Sequence, residues 1–61
     1  MYVRMIAIRF PLKSRFFPNV LSVVVTETEN GKPPLISLNL SDGTEETFWM
    51  DKYRMEIEQA W

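Results

Sequence analysis

The run Val20-Leu21-Ser22-Val23-Val24-Val25-Thr26-Glu27-Thr28-Glu29-Asn30-Gly31-Lys32-Pro33-Pro34-Leu35-Ile36-Ser37-Leu38-Asn39-Leu40 decides the fold. Asn30-Gly31, at its middle, is the strongest local signal in the chain. A two-residue type I′ turn needs positive φ at both central positions, and Asn and Gly tolerate this best. A turn there sets the register, because the numbers of facing residues must add to 61. Leu21 then faces Leu40, Val23 faces Leu38, Val25 faces Ile36 and Glu29 faces Lys32, with every aliphatic pair on one side of the ribbon. The β-branched run Val23 to Thr26 is unsuited to a helix. Turn chemistry and hydrophobic pattern agree on a hairpin of strands 20–28 and about 35–40.

Further along, Ser41-Asp42-Gly43-Thr44 reads as a second hairpin leading into a strand at about 44–50. A two-residue loop sets Glu45, Thr47 and Trp49 on the apolar face. A three-residue loop with Gly43 as a left-handed bulge residue sets Thr44, Glu46, Phe48 and Met50 there. The bulge is preferred, because Phe48 and Met50 together remove more apolar surface from water than Trp49 alone. It leaves Glu46 pointing inward beside Leu38.

Before the hairpin, residues 2–10 read as a strand that is apolar on both faces, Tyr2, Ile6, Ile8 and Phe10 on one and Val3, Met5 and Ala7 on the other, hence covered on both sides. Phe10 to Asn19 holds Pro11 and Pro18 with no clean period and reads as a loop. The tail 51–61 admits two readings. As a helix capped by Asp51 it gathers Tyr53, Ile57, Ala60 and Trp61 on one face. As a strand it alternates Tyr53, Met55 and Ile57 with Arg54, Glu56 and Glu58. Helix propensity of Lys, Arg, Met, Glu, Gln and Ala favours the first. The expected fold is therefore mostly β, a β-rich α+β domain. It consists of a small four-stranded antiparallel sheet or partly open barrel, with a short C-terminal helix across one opening.

With 61 residues there is one domain, 1–61, and one core. A chain this short buries only about 60% of its unfolded surface, and its core supplies roughly 3 to 5 kcal/mol. The chain has no Cys and no His, which excludes disulfides, thiolate nucleophiles and metal sites built on sulfur or imidazole, and no cofactor is expected. Association remains as a source of added stability. Hydrophobic content of 46% and a composition that includes two Trp, two Tyr and four Phe argue for a folded core over disorder. No charge-free apolar stretch is long enough to span a membrane, and the N-terminal residues lack the form of a signal peptide, so a cytoplasmic protein is expected.

Charge is unevenly spread. Residues 1–26 hold Arg4, Arg9, Lys13 and Arg15 and no acid, whereas all eight acids of the chain lie in residues 27–61. Such asymmetry suggests a charged partner, or simply strands of opposite charge pairing with one another.

Catalysis has little to rest on. Glu45 and Glu46, adjacent in a strand, point to opposite faces and cannot act on one substrate as a carboxylate pair must. Asp42 with Glu45 falls short of the oxygen ligands a calcium ion takes. The two glycines, Gly31 and Gly43, are both used by hairpins, which leaves no phosphate-binding loop.

Two functional readings follow. The leading one is a non-enzymatic protein-interaction module, an inhibitor- or adaptor-like or self-associating domain whose partner is another protein or a second copy in a homodimer. The computed register gathers Val20, Val24, Leu35 and Trp49 on the side opposite the aliphatic stripe. Covered, they are a second core layer; open, they are an apolar patch of the kind that marks an interface, with Trp typical of its anchor. Trp61 extends the patch, and Glu45 represents the acidic C-terminal half beside it. The alternative is a small RNA- or single-stranded-DNA-binding barrel. It would use Arg9, Lys13, Arg15, Phe16 and Phe17 of loop 9–18, where rings stack on bases and cations hold phosphates. The competing reading of those rings is core packing.

Overall fold

The computed structural model describes residues 1–58. It has six strands: β1 (Tyr2–Ala7), β2 (Arg15–Phe17), β3 (Val20–Thr26), β4 (Leu35–Leu40), β5 (Glu45–Trp49) and β6 (Tyr53–Glu58). They form two three-stranded antiparallel sheets, one ordered β2-β1-β6 and the other β3-β4-β5. The domain is mostly β, as expected, but the single four-stranded sheet is replaced by two sheets, and no helix occurs among the described residues.

The hairpin at Asn30-Gly31 is present, with φ of 64° and 71° at its two central residues. The expected register holds for Val23 with Leu38 and Val25 with Ile36. It fails at both ends. A bulge between Val20 and Ser22 moves Val20, not Leu21, opposite Leu40, and turns Val20 into the core while leaving Leu21 67% exposed. At the turn end the ladder stops at Thr26 and Leu35, so Glu29 and Lys32 are not a strand pair. Pro33 and Pro34 have no N–H to donate. The Thr28 hydroxyl instead closes the loop on the carbonyl oxygens of Lys32 and Pro33, at 2.9 and 3.0 Å.

At the second hairpin the bulge reading holds for Glu46 and Phe48, whereas Met50, expected on the same apolar face, lies beyond β5 and is 41% exposed. Gly43 has φ of 89°, its N–H donates to the Leu40 carbonyl at 3.1 Å, and the Leu40 N–H donates to the Thr44 carbonyl at 2.9 Å. Phe48 faces Ile36 and Glu46 faces Leu38. Asp42 pins this loop, its Oδ1 accepting from the Thr44 N–H at 3.0 Å and from the Thr44 hydroxyl at 2.6 Å. Those bonds hold the Asp42 carboxyl below the usual aspartate pKa.

Residues 53–58 form a strand, not a helix, because β1 offers a pairing partner along its whole length, from Tyr2 with Glu58 to Ala7 with Tyr53. Helix propensity is a weak preference that such tertiary pairing overrides. Residues 59–61, with the expected positions of Ala60 and Trp61, lie outside the described residues. β1 itself is shorter than the expected 2–10, leaving Ile8, 55% exposed, and Phe10, 99% exposed, beyond its end, and it is not covered on both sides: Arg4 is exposed and Tyr2 and Ile6 are only half-buried on its outer face. Phe10 precedes a cis Pro11 in the connection to β2. That connection runs over 8–14, and β2 after it, Arg15–Phe17, pairs with Met5 to Val3 inside the stretch 10–19 that was expected to be a loop. The chain then turns a corner at Pro18-Asn19. Met1 and Val20 exchange bonds at 3.0 and 3.2 Å, tying the start of β3 to the first sheet.

The core lies between the sheets. Val3, Met5 and Phe17 from one meet Val20, Ile36, Leu38, Leu40 and Phe48 from the other, with Val23, Tyr53 and Met55 packed at the margin. The Phe48 ring stands edge-on to both Phe17, at 5.7 Å between centroids, and Tyr53, at 4.9 Å.

Leu38 has no exposed surface. Truncating a buried leucine to alanine costs about 2 to 5 kcal/mol, comparable with everything a core of this size supplies. Leu38→Ala is therefore expected to be largely unfolded in water by circular dichroism, whereas Thr47→Ala, on the exposed side of β5, shifts the urea midpoint little. The Asp42 carboxylate stabilises the folded state above its unfolded pKa, and this contribution disappears as pH falls through the lower folded value. A carbon-detected NMR titration should find Asp42 below the usual aspartate value, and Asp42→Asn should weaken the pH dependence of the urea midpoint in that acidic range.

Candidate interaction surface

The side of the β3-β4-β5 sheet turned away from the core is built of three cross-strand rows. Thr26, Leu35 and Trp49 form the first, Val24, Ser37 and Thr47 the second, and Ser22, Asn39 and Glu45 the third. Alternation along each strand puts these residues on one face. The structure thus brings Val24, Leu35 and Trp49 together as an apolar corner, with Val24 49% and Trp49 37% exposed and Leu35 half-buried. Glu45 shares the face but lies at its far, polar end, where the Asn39 amide donates to the Ser22 hydroxyl at 3.0 Å. Val20 leaves this face for the core through the bulge. Trp61 is outside the described residues.

Trp49 also walls an open groove of about 240 Å³ with Lys32, Pro33, Asp51 and Lys52. Three connections meet at this end of the molecule. The Met50 N–H donates to the Pro34 carbonyl at 3.0 Å, the Lys52 N–H to the Trp49 carbonyl at 3.1 Å, and the Ile8 N–H to the Lys52 carbonyl at 3.0 Å. Arg9 Nε donates to the Asp51 carbonyl at 3.0 Å. Asp51 Oδ1, by contrast, is shielded from solvent and has no hydrogen-bond partner among the described residues. The groove therefore combines an indole, a proline ring and two ammonium groups, with the Asp51 oxygen buried in its wall.

The residues of the basic-aromatic stretch are distributed differently. Phe17 is in the core at 6% exposure, which is the packing reading for that ring, while Phe16 lies outside and stacks on Tyr2 at 5.6 Å and 12°. Arg15 bridges the two sheets: its Nη1 reaches Glu46 Oε2 at 3.5 Å, and its guanidinium lies 4.9 Å from the Phe17 centroid and 5.9 Å from that of Phe48. This contact accounts for the inward Glu46, whose charge meets a cation at the rim of the core. Arg9 is held to the 49–52 turn. Lys13 is exposed on the 8–14 connection with Phe10, Pro11 and Leu12. Five residues named for one surface thus occupy the core, its rim and two separate outer regions.

Sequence reasoning missed Pro33, Asp51 and Lys52 as groove walls and the isolation of Phe10. The Pro33-Pro34 doublet was the available signal for the first, since it marks where strand pairing must end. Among the described residues no group of three or more Asp and Glu side chains is placed to hold a metal ion. No described helix is long and apolar enough to cross a membrane.

Arg15→Ala is expected to lower folding stability by about 1 kcal/mol, the combined scale of a half-exposed ion pair and a cation–π contact, while Lys13→Ala leaves the urea midpoint nearly unchanged. Compared with known protein families, characterised proteins and solved structures, the chain matches none of them significantly.

Proposed function

We propose that the chain is a non-enzymatic protein-interaction module that engages another polypeptide, in the manner of a small adaptor or inhibitor, through the corner formed by Trp49, Leu35 and Val24 and the groove beside it. The observation that carries this reading is Trp49. A large amphipathic ring sits on the outer side of a small sheet, continuous with apolar neighbours and at the edge of a groove walled by Lys32, Pro33 and Lys52. Aromatic anchors surrounded by apolar and polar contacts dominate binding at protein interfaces. Lys32 and Lys52 on the groove walls favour a partner segment that carries acidic side chains. A cytoplasmic setting belongs to this reading.

The nucleic-acid alternative is the weaker one. Its strongest remaining feature is the exposed Phe16 ring on the outer side of the β2-β1-β6 sheet, where Arg4 lies directly opposite Phe16. That arginine is ion-paired with Glu58 at 3.1 Å and lies within 4.0 Å of Glu56, and these acids repel a phosphate backbone.

The test is a peptide display library panned on the wild-type protein and on Trp49→Ala, with circular dichroism to confirm that the variant is folded. A consensus containing an apolar residue and acidic neighbours is expected on wild type. Its affinity should fall roughly thirtyfold or more in the variant, the loss of an anchor worth about 2 kcal/mol. A library without preference, or binders indifferent to Trp49→Ala, would overturn the proposal. Salt-sensitive binding of a labelled single-stranded oligonucleotide that is lost in Phe16→Ala would favour the alternative.

A further inference from the structure

The four edge strands of the two sheets are not alike. β2 carries Arg15, β5 carries Glu45 and Glu46, and β6 carries Arg54, Glu56 and Glu58. Charged side chains on an edge discourage pairing with another strand. β3, with seven residues Val20–Thr26 the longest strand, has no charged residue and no proline. Past Val20, whose N–H and C=O are bonded to Met1, its free side is open: Val24 and Val25 are each 49% exposed, and Ser22 and Thr26 are exposed beside them. Val25 is informative because it faces Ile36 on the core side of the sheet, yet the opposing sheet does not extend far enough to cover it.

The direction of the backbone groups follows from the ladder. The Leu40 N–H bonds across to Thr44 and the Met50 N–H to the Pro34 carbonyl, so the even-numbered residues of β4 address β5 and the odd-numbered ones address β3. The β3 partners of Leu35, Ser37 and Asn39 are Thr26, Val24 and Ser22, which therefore point their N–H and C=O groups at β4. Val23 and Val25 point theirs outward. Among the described residues no strand pairs with them there.

We infer that β3 is the pairing strand of a symmetric homodimer, in which it lies antiparallel to β3 of a second copy about a two-fold axis at Val24. The self-complementarity of the segment selects a second copy as occupant. With the axis at Val24, Val23 of one copy and Val25 of the other exchange backbone bonds, Val24 meets Val24, and Ser22 meets Thr26. No charges oppose one another, and the half-exposed Val25 gains a Val neighbour on the core side. Pairing ends where the Leu21 bulge of one copy reaches Glu27 of the other. The product is one continuous six-stranded sheet, whose outer face carries both Trp49 corners and leaves them accessible. The dimer is held by the outward backbone groups of Val23 and Val25 and shares only Val24 with the Trp49 corner, so Val25→Pro and Trp49→Ala separate the two surfaces.

Sedimentation equilibrium over a micromolar to millimolar range is expected to show a dimer of twice the 7.2 kDa chain, with the Val23 and Val25 amides becoming protected from hydrogen exchange as concentration rises. Val24→Lys sets like charges against each other at the axis, on an exposed position that the monomer fold tolerates. It should raise the dissociation constant at least tenfold. Val25→Pro removes an outward N–H at a half-exposed edge position and should abolish the dimer in a protein that circular dichroism shows to be folded, while Trp49→Ala should dimerise as wild type does. A protein monomeric at millimolar concentration overturns the inference. So does a dimer insensitive to Val24→Lys, or one in which the Val23 and Val25 amides exchange at a concentration-independent rate because a foreign strand or another surface makes the contact.

Discussion

Each three-stranded sheet has one apolar side, and that side leaves water only by facing the other sheet. Short strands of this kind do not persist singly. The mutual burial of Val3, Met5 and Phe17 against Ile36, Leu38 and Phe48 is therefore the contact on which the rest depends. Phe48 is its pivot, edge-on to a ring from β2 and to a ring from β6. At the rim, Arg15 and Glu46 close the gap with a charge pair that also covers Phe17 and Phe48. With the core set wholly between the sheets, the outer rows have no packing duty, and this is why an indole is tolerated on the surface at Trp49.

The parts of this fold that could be read from the amino acids are those whose cause is local. Asn30-Gly31 and Gly43 each demand a left-handed backbone, and each sits at a hairpin whose strand register follows by counting. Where the counting failed, a second local cause intervened: the prolines at 33 and 34 end the ladder early, and the Leu21 bulge rotates Val20 inward. The strand nature of residues 53–58 has no such local cause. It depends on β1, at the opposite end of the chain, and a helix pattern fits the same residues when that partner is ignored. The three-residue β2 is likewise too short to have a period of its own.

The same division applies to the outer surface. Val24, Leu35 and Trp49 could be placed together because two successive hairpin registers relate them. The groove beside them could not, since Pro33, Asp51 and Lys52 come from two connections whose meeting is set by tertiary bonds such as that from Met50 to Pro34. The stretch 9–18 shows the converse: composition alone grouped its cations and rings, and the two-residue alternation of a strand sent Phe16 and Phe17 to opposite sides.

The pairing of β1 with β6, together with the short reach of the other sheet, imposes an order on folding. Both contacts of the β3-β4-β5 sheet close loops of a few residues, whereas bringing Tyr2 to Glu58 closes nearly the entire described chain, and the entropy of closure rises with loop length. The hairpins thus assemble first and present Ile36, Leu38 and Phe48 as a template. During synthesis β1 precedes the strands that complete its surroundings: its Val3 and Met5 side chains stay uncovered until β4 and β5 have been made, and its edge stays unpaired until β6 follows, an interval in which the nascent chain is most adhesive.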